Sequence, residues 1–153
     1  MPPSKFVTLA LYTILAGGAY GCSGSSSSST ASPSQTITSD ILTGTVPPPV
    51  NGVLQNSANF FSVGQGGGTI NVTLTSAIET LPGGTLLPTV TMGLAVGTGS
   101  PACTPLANAF VTAQAGSSPQ LSGSVAAGTY CVLVSDVTGQ VGPVAYAVAI
   151  SHP

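Results

Sequence analysis

Alternation of apolar and polar side chains is the feature that most restricts the fold of this chain. In the segment 69–75, Ile70, Val72 and Leu74 alternate with asparagine and threonine residues. Because successive side chains of a β-strand point to opposite faces, this period of two predicts a strand with one buried face. From Asp40 onward, no window of about a dozen residues combines helical spacing of apolar side chains with freedom from glycine and proline, and the pattern predicts β-structure.

Further short strands are predicted along the rest of the chain. They are centred on the segments Met92–Val96, Ala107–Ala113, Leu121–Val125, Gly128–Val137 and Val144–Ile150. Glycine-rich and proline-rich turns such as Gly64–Gly68 separate them, which is typical of a sandwich or a barrel. We therefore expect one all-β domain over residues 40–153, with about seven to nine mostly antiparallel strands.

Charged side chains are almost absent from this sequence. They make up 3% of the chain, against roughly a quarter in ordinary soluble domains. Lys5 is the only lysine or arginine, and because nucleic-acid binding relies on such residues to neutralise phosphates, no nucleic-acid partner is expected. The hydrophobic fraction of 42% and the mean hydropathy of +0.51 favour a folded domain, since disorder requires low hydrophobicity.

The N-terminus has the layout of an export signal. Lys5 precedes an apolar stretch, Phe6–Ala19, that is shorter than the roughly 20 residues of a membrane span. Residues 1–21 are therefore predicted to be a signal peptide. The run Ala19-Tyr20-Gly21-Cys22 resembles the bacterial lipobox, in which the cysteine is acylated, for example with palmitate, and becomes the mature N-terminus. Ordinary secretory cleavage nearby is the alternative.

Lipidation of Cys22 implies a protein anchored to a membrane of the cell envelope. Ser23, in place of aspartate, resembles the pattern that directs lipoproteins to the outer membrane. Residues 22–39 then comprise the lipidated cysteine and a serine-rich tether, predicted to be flexible because it has almost no apolar side chains to bury. With ordinary cleavage, we expect a secreted protein instead.

Cys103 and Cys131 form an even pair if Cys22 carries lipid. In an oxidising compartment this pair is predicted to form a disulfide, and two reduced core cysteines are the alternative. Cys131 is out of phase with the apolar residues on either side of it, so a bridge would join the outer side or the edge of its sheet to the loop that bears Cys103. Two separated cysteines and one histidine are too few for a zinc site, and we expect no metal and no cofactor.

Catalytic chemistry has few residues available to it. After the signal peptide the only carboxylate side chains are Asp40, Glu79 and Asp136, and their spacing does not indicate the paired carboxylates of glycoside hydrolysis. Asp136 is expected to cap a turn. A catalytic triad would require His152, which is penultimate and is expected to be too flexible to act as an oriented base. The sequence therefore predicts no catalytic residue.

The aromatic side chains after the signal peptide are expected to pack in the core, with one exception. They are Phe60, Phe61, Phe110, Tyr130 and Tyr146. Phe60 is the exception, because adjacent strand residues point to opposite faces and Phe61 shares its phase with Val63. Phe60 is thus the one candidate ligand-binding residue.

The order of several segments resembles bacterial pre-peptidase C-terminal-type domains. The segments are Phe60–Val63, a glycine-rich turn, Thr69–Thr75, Gly93–Gly97, Ala127–Val134 and a last strand containing Tyr146. The resemblance spans about residues 41–151 and implies a small, jelly-roll-like β-sandwich that is accessory and not catalytic. Calcium binding, which some members show through clustered acids, is not carried over, because Val90–Val96 contains no acid.

Three functional hypotheses follow. The leading one is a non-enzymatic, membrane-anchored lipoprotein of the cell envelope that serves as a structural, interaction or adhesion module. The alternative is a surface-displayed glycan-binding module. A hydrolase with an unusual site built from Asp40, Glu79 and Asp136 is the hypothesis that the sequence favours least.

Overall fold

The structure, a computed structural model, describes residues 35–153. The predicted signal peptide, Cys22 and the tether up to residue 34 lie outside the described residues. The strands are β1 (Thr38–Val46), β2 (Asn56–Val63), β3 (Gly68–Thr80), β4 (Leu86–Leu87), β5 (Met92–Thr98), β6 (Thr104–Ala113), β7 (Leu121–Val125), β8 (Gly128–Asp136) and β9 (Val144–His152). Within this part of the chain, no helix is long and apolar enough to cross a membrane.

The strands form two sheets that pack face to face. Sheet I has the order β1-β9-β3-β4, with β7 also paired to β3, and sheet II has the order β2-β8-β5-β6. All of the ladders between strands are antiparallel. With the short β4 set aside, this strand order is that of a jelly roll. The predicted antiparallel, jelly-roll-like sandwich is therefore confirmed.

The core lies between the sheets and is built from the inward positions of alternating strands. Val72 and Leu74 of β3 pair with Ile150 and Val148 of β9, and all of these side chains are buried. Burial of an aliphatic side chain of this size contributes roughly 1.5–3 kcal/mol relative to exposure. The alternation of Thr69–Thr75 thus has the predicted cause, one face of a strand against the core.

The domain begins earlier than the boundary predicted at Asp40. β1 starts at Thr38, and the side chain of Gln35 donates a hydrogen bond to the carbonyl of Gly67 at 2.7 Å. The pairing of Thr38 with His152 in β9 rests on backbone hydrogen bonds, which need no apolar side chain. A boundary predicted from composition therefore lies two residues after the observed start of β1.

Phe110 has a different position from the one expected. Val111 takes the inward position opposite Leu94, and Phe110 points outward with 52% of its surface exposed. The prediction that Phe110 packs in the core is therefore wrong. The outward position is open to the ring because Gly93, on the neighbouring strand β5, has no side chain to occupy that space.

Candidate functional site

The acidic residues are the first candidates for chemistry, and Asp136 has a structural role. This residue ends β8 and is 3% exposed. Its Oδ1 accepts hydrogen bonds from the amides of Thr138 (2.9 Å) and Gly139 (2.8 Å), and its Oδ2 accepts one from the amide of Gln140 (3.1 Å). The turn-capping role predicted for Asp136 is confirmed.

Glu79 holds the second half of the same β8–β9 loop. Its Oε1 accepts hydrogen bonds from the amides of residues 141 and 142 at 2.7 and 2.9 Å. The side chain of Gln140 donates to the carbonyls of residues 46 and 47, at 3.1 Å each. Every amide from 138 to 142 therefore donates to one of two buried carboxyl groups, which together hold the loop in place.

His152 is the ionic partner of Asp40. It was expected to be flexible, but it is the last residue of β9 and is 4% exposed. Its Nε2 lies 3.0 Å from Oδ2 of Asp40, and its Nδ1 lies 3.0 Å from the carbonyl oxygen of Pro153. Because both partners are acceptors, this geometry is that of an imidazolium with two N–H donors. Burial lowers the pKa of His152, but the hydrogen bonds to Asp40 and Pro153 outweigh burial and raise the pKa above 6.5.

Among the described residues, these groups do not assemble a hydrolytic site. Both nitrogens of His152 are engaged, so neither is free to accept a proton from a serine hydroxyl. Asp40 pairs with Ile150 and Glu79 pairs with Val144, which separates the two carboxylates by about 20 Å along β9. A glycosidase pair needs roughly 5–9.5 Å. Nor does this part of the chain contain three or more His, Cys, Asp or Glu residues grouped to hold a metal ion.

The outer face of sheet II is the surface that stands out. Ala95 of β5 and Leu133 of β8 pair at its centre, and each edge strand contributes a phenylalanine. Phe60 on β2 is 38% exposed, and Phe110 on β6 is 52% exposed. The prediction that Phe60 points away from the core is confirmed. Three strand spacings place the two phenylalanines about 14 Å apart across the sheet. We call this surface, which also includes Cys131, the sheet II platform.

The predicted disulfide is present and lies on this platform. Cys131 pairs with Phe60 of β2 on one side and with Gly97 of β5 on the other, and its bond to Cys103 joins Cα atoms 5.9 Å apart. A Cβ atom built on Gly97 would meet the backbone carbonyl group of Thr104 and would lie 3.0 Å from Sγ of Cys103. Glycine at this position therefore leaves the space in which the bridge covers the sheet, on its outer side as predicted.

Gly93 makes the corresponding space for Phe110. A Cβ atom built on Gly93 would lie closest to Oγ of Ser135, and 2.9 Å from both Cε2 of the Phe110 ring and Cγ1 of Val137. Such distances are shorter than carbon atoms tolerate in contact. The ring of Phe110 therefore lies against the backbone of β5, and a side chain at position 93 would displace it.

The outer face of sheet I has a different character. Its central ladder pairs small residues, among them Thr43 of β1, Ala147 of β9 and Ser76 of β3. The sheet II platform instead combines two phenylalanines, a leucine and a disulfide, with no charged side chain among them. Its exposed surface comes from the two rings and part of Leu133, because Ala95 and Cys131 are buried, and aromatic side chains are enriched at protein interfaces.

Sequence reasoning found Phe60 and the cysteines of this site but missed Phe110 and Leu133, because their common face depends on the order of strands in the sheet. Comparison of the chain with protein-family models, with curated proteins and with solved structures finds no match. The resemblance to pre-peptidase C-terminal-type domains therefore stays a prediction, and the site is interpreted from its own geometry.

Proposed function

We propose that this protein is a non-enzymatic lipoprotein of the cell envelope that acts as an interaction or adhesion module through its sheet II platform. The observation that supports this function best is the pair of exposed rings, Phe60 and Phe110, on an uncharged apolar face. The centres of protein interfaces are depleted in charge and enriched in aromatic residues. The partner is expected to be an envelope protein with a complementary apolar and uncharged surface.

The size of the platform indicates how such a contact would work. Two partly exposed rings and part of a leucine present much less than the roughly 800 Å² per partner of a stable complex, so a single contact is expected to be weak. Many copies displayed on one membrane would bind together through avidity, without any new contact. Many weak contacts of this kind between two surfaces are suited to adhesion.

Anchoring through Cys22 is the second part of the proposal. The lipid would hold the mature N-terminus in the membrane, most simply the outer membrane, and the serine-rich tether would carry the sandwich away from it. Mass spectrometry of the native protein tests this part. We expect a mature chain that begins at Cys22 and carries acyl groups; an unacylated chain would instead make the protein a secreted one.

Substitution of the platform residues tests the binding surface. The variant Phe60→Ser/Phe110→Ser removes both rings, and Ile41→Ser is the matched control because Ile41 is 74% exposed on the outer face of sheet I. Each protein is displayed at equal density on vesicles and incubated with envelope fractions. We expect at least tenfold less retention for the double variant and no change for the control. Equal retention by all three would refute the platform as the contact surface.

A glycan ligand is the second candidate, and the two exposed phenylalanines are the observation that favours it. Aromatic rings stack on the apolar faces of sugars, and an uncharged platform suits a neutral glycan. Screening of the folded protein on a glycan array tests this function. Binding that is lost in Phe60→Ser/Phe110→Ser would support it, and a flat result with a folded sample would remove it.

A further inference from the structure

A groove opens between the edge strands β6 and β7, where the two sheets face each other. Its floor is formed by core residues of both sheets, Ile70 and Val72 of β3 and Val96 of β5, and its volume is about 230 Å³. The platform lies on the other side of sheet II, so the groove is a separate feature. No charged side chain lines it.

The groove exists because an inward side chain is missing from β7. Leu121, Gly123 and Val125 pair with Val72, Ile70 and Gly68 of β3, so these positions share the inward face. Nothing lies within 4 Å of a Cβ atom built on Gly123. Gly123 is itself exposed, so the inward face of β7 is open to solvent between the partly buried Leu121 and Val125. An apolar group placed there would cover both side chains.

The other wall of the groove is a bulge in β6. Ala95 pairs with Phe110 and Gly97 pairs with Pro105, so residues 106–109 lie opposite Val96 alone. Within this bulge, Asn108 has the left-handed φ of 60°. Bulges of edge strands are enriched next to functional sites, where they re-aim the chain. Here the bulged residues 106–109 line the groove opposite β7.

We propose that the groove binds the linear alkyl chain of an uncharged amphiphile. Its side along β7 runs from Leu121 to Val125, which is about 14 Å of strand, and these two residues supply its apolar side chains there. Its volume of about 230 Å³ exceeds that of the apolar cavity of roughly 150 Å³ that admits benzene. The shape and the lining therefore suit a narrow hydrocarbon chain.

The charge of the protein defines the head group of this ligand. No lysine or arginine follows Lys5, and the imidazole of His152 is engaged by Asp40. A carboxylate or phosphate head would find no cationic partner near the groove. Asn108, which lines it, offers a neutral donor and acceptor that suit a hydroxyl or glycosidic head. This ligand is independent of the partner of the platform.

Calorimetric titration tests the proposal with the mature chain, residues 22–153, produced without the predicted signal peptide and carrying Cys22→Ser, so that neither an apolar leader nor a lipid requires detergent. The probes are decyl maltoside below its critical micelle concentration, maltose as the head group alone, and decanoate at neutral pH as the charged chain. We expect decyl maltoside to bind, maltose not to bind, and decanoate to bind at least tenfold more weakly. Equal binding of maltose would overturn the alkyl site, and equal binding of decanoate would overturn the argument from charge.

Substitutions in the groove test whether decyl maltoside binds there. Gly123→Leu fills the groove, and we expect it to weaken decyl maltoside binding at least tenfold while raising Tm by a few degrees, because it buries a side chain in open space. Gly123→Ala is the smaller variant, for which a weaker loss is expected. Thr45→Leu, on an exposed position of β1, is the control and should bind normally. Unchanged binding in folded Gly123→Leu would overturn the proposal.

The platform variant Phe60→Ser/Phe110→Ser separates this site from the proposed function. We expect this variant to bind decyl maltoside as the parent does, even if it no longer retains an envelope partner. Loss of alkyl binding in this variant would place the ligand on the platform and would overturn the groove as its site.

Discussion

The disulfide between Cys103 and Cys131 allows a quantitative prediction. The bridged residues are separated by 28 positions, and restricting a loop of this size in the unfolded chain stabilises the folded state by about 3.5 kcal/mol in the chain-entropy model. The change is the double substitution Cys103→Ala/Cys131→Ala. We expect the free energy of unfolding to fall by about 3.5 kcal/mol, and Tm to fall by about 10–15 °C for a domain of this size.

Equilibrium unfolding in urea, followed by circular dichroism on the mature protein, measures this difference. The matched control is the parent protein under reducing conditions, which loses the covalent link and keeps both sulfur atoms. The unfolding curves of the reduced parent and of the double variant should nearly coincide. The double variant should lose slightly more free energy of unfolding, because its substitution also removes the sulfur atom of the fully buried Cys131. A loss below about 1 kcal/mol in both samples would refute the chain-entropy reasoning. A large loss in the double variant alone would assign the stabilisation to packing.

Three further predictions concern single residues. Asp136→Ala should lower the free energy of unfolding by at least about 3 kcal/mol, because three amides lose a buried charged acceptor, as urea unfolding would measure. The raised pKa of His152 means that its charged form stabilises the folded protein through the pair with Asp40, and this contribution is lost as the imidazole deprotonates. Because Asp40 is partly exposed, the free energy of unfolding should fall by less than about 1 kcal/mol between about pH 6 and 8.5, as unfolding at a series of pH values would measure. Gly93→Ala should cost about 1–3 kcal/mol through crowding against the side chains of Ser135, Phe110 and Val137. It should also weaken platform binding, as unfolding and vesicle retention would measure.

Each of these predictions has its own control. Asp136→Asn keeps one acceptor oxygen and should lose less stability than the alanine variant; equal losses would argue against the hydrogen bonds as the cause. For His152, the contribution of the charged form is complete below pH 6.5 and declines as pH rises through its folded pKa. Asp40→Asn should flatten that dependence, and an unchanged slope would contradict the assignment. For Gly93, a fully stable alanine variant would contradict the crowding.

The strands of this domain could be predicted because local alternation reports burial of one face. The segment Thr69–Thr75 alternates along its length, and Val144–Ile150 does so at the other end of the chain. The role of Asp136 was also accessible, since its amide partners follow it within a few residues. The partners of Glu79, in contrast, lie 62 and 63 residues away in sequence, and only the fold brings them together.

The platform was predicted only in part, for the same reason. Phe60 could be assigned to the outer face because Phe61 and Val63 define the inner one within a single strand. In β6, the adjacent residues Phe110 and Val111 are both apolar, so the sequence does not show which of them points to the core. The outward position of the Phe110 ring depends on the space left by Gly93 of the neighbouring strand. His152 was misjudged because its order comes from β1, at the far end of the domain sequence. Sequence patterns report local burial, whereas a shared surface depends on which strands become neighbours.

Site-specific photocrosslinking in intact envelopes tests the central claim most directly. A benzophenone amino acid is placed at Leu133, at the centre of the sheet II platform, and in a second protein at Ala147, on the outer face of sheet I. The proposed function predicts a discrete adduct from position 133 that disappears in the Phe60→Ser/Phe110→Ser background, and none from position 147. Equal adducts from both positions, or an adduct from position 147 alone, would contradict the platform as the binding surface of this protein.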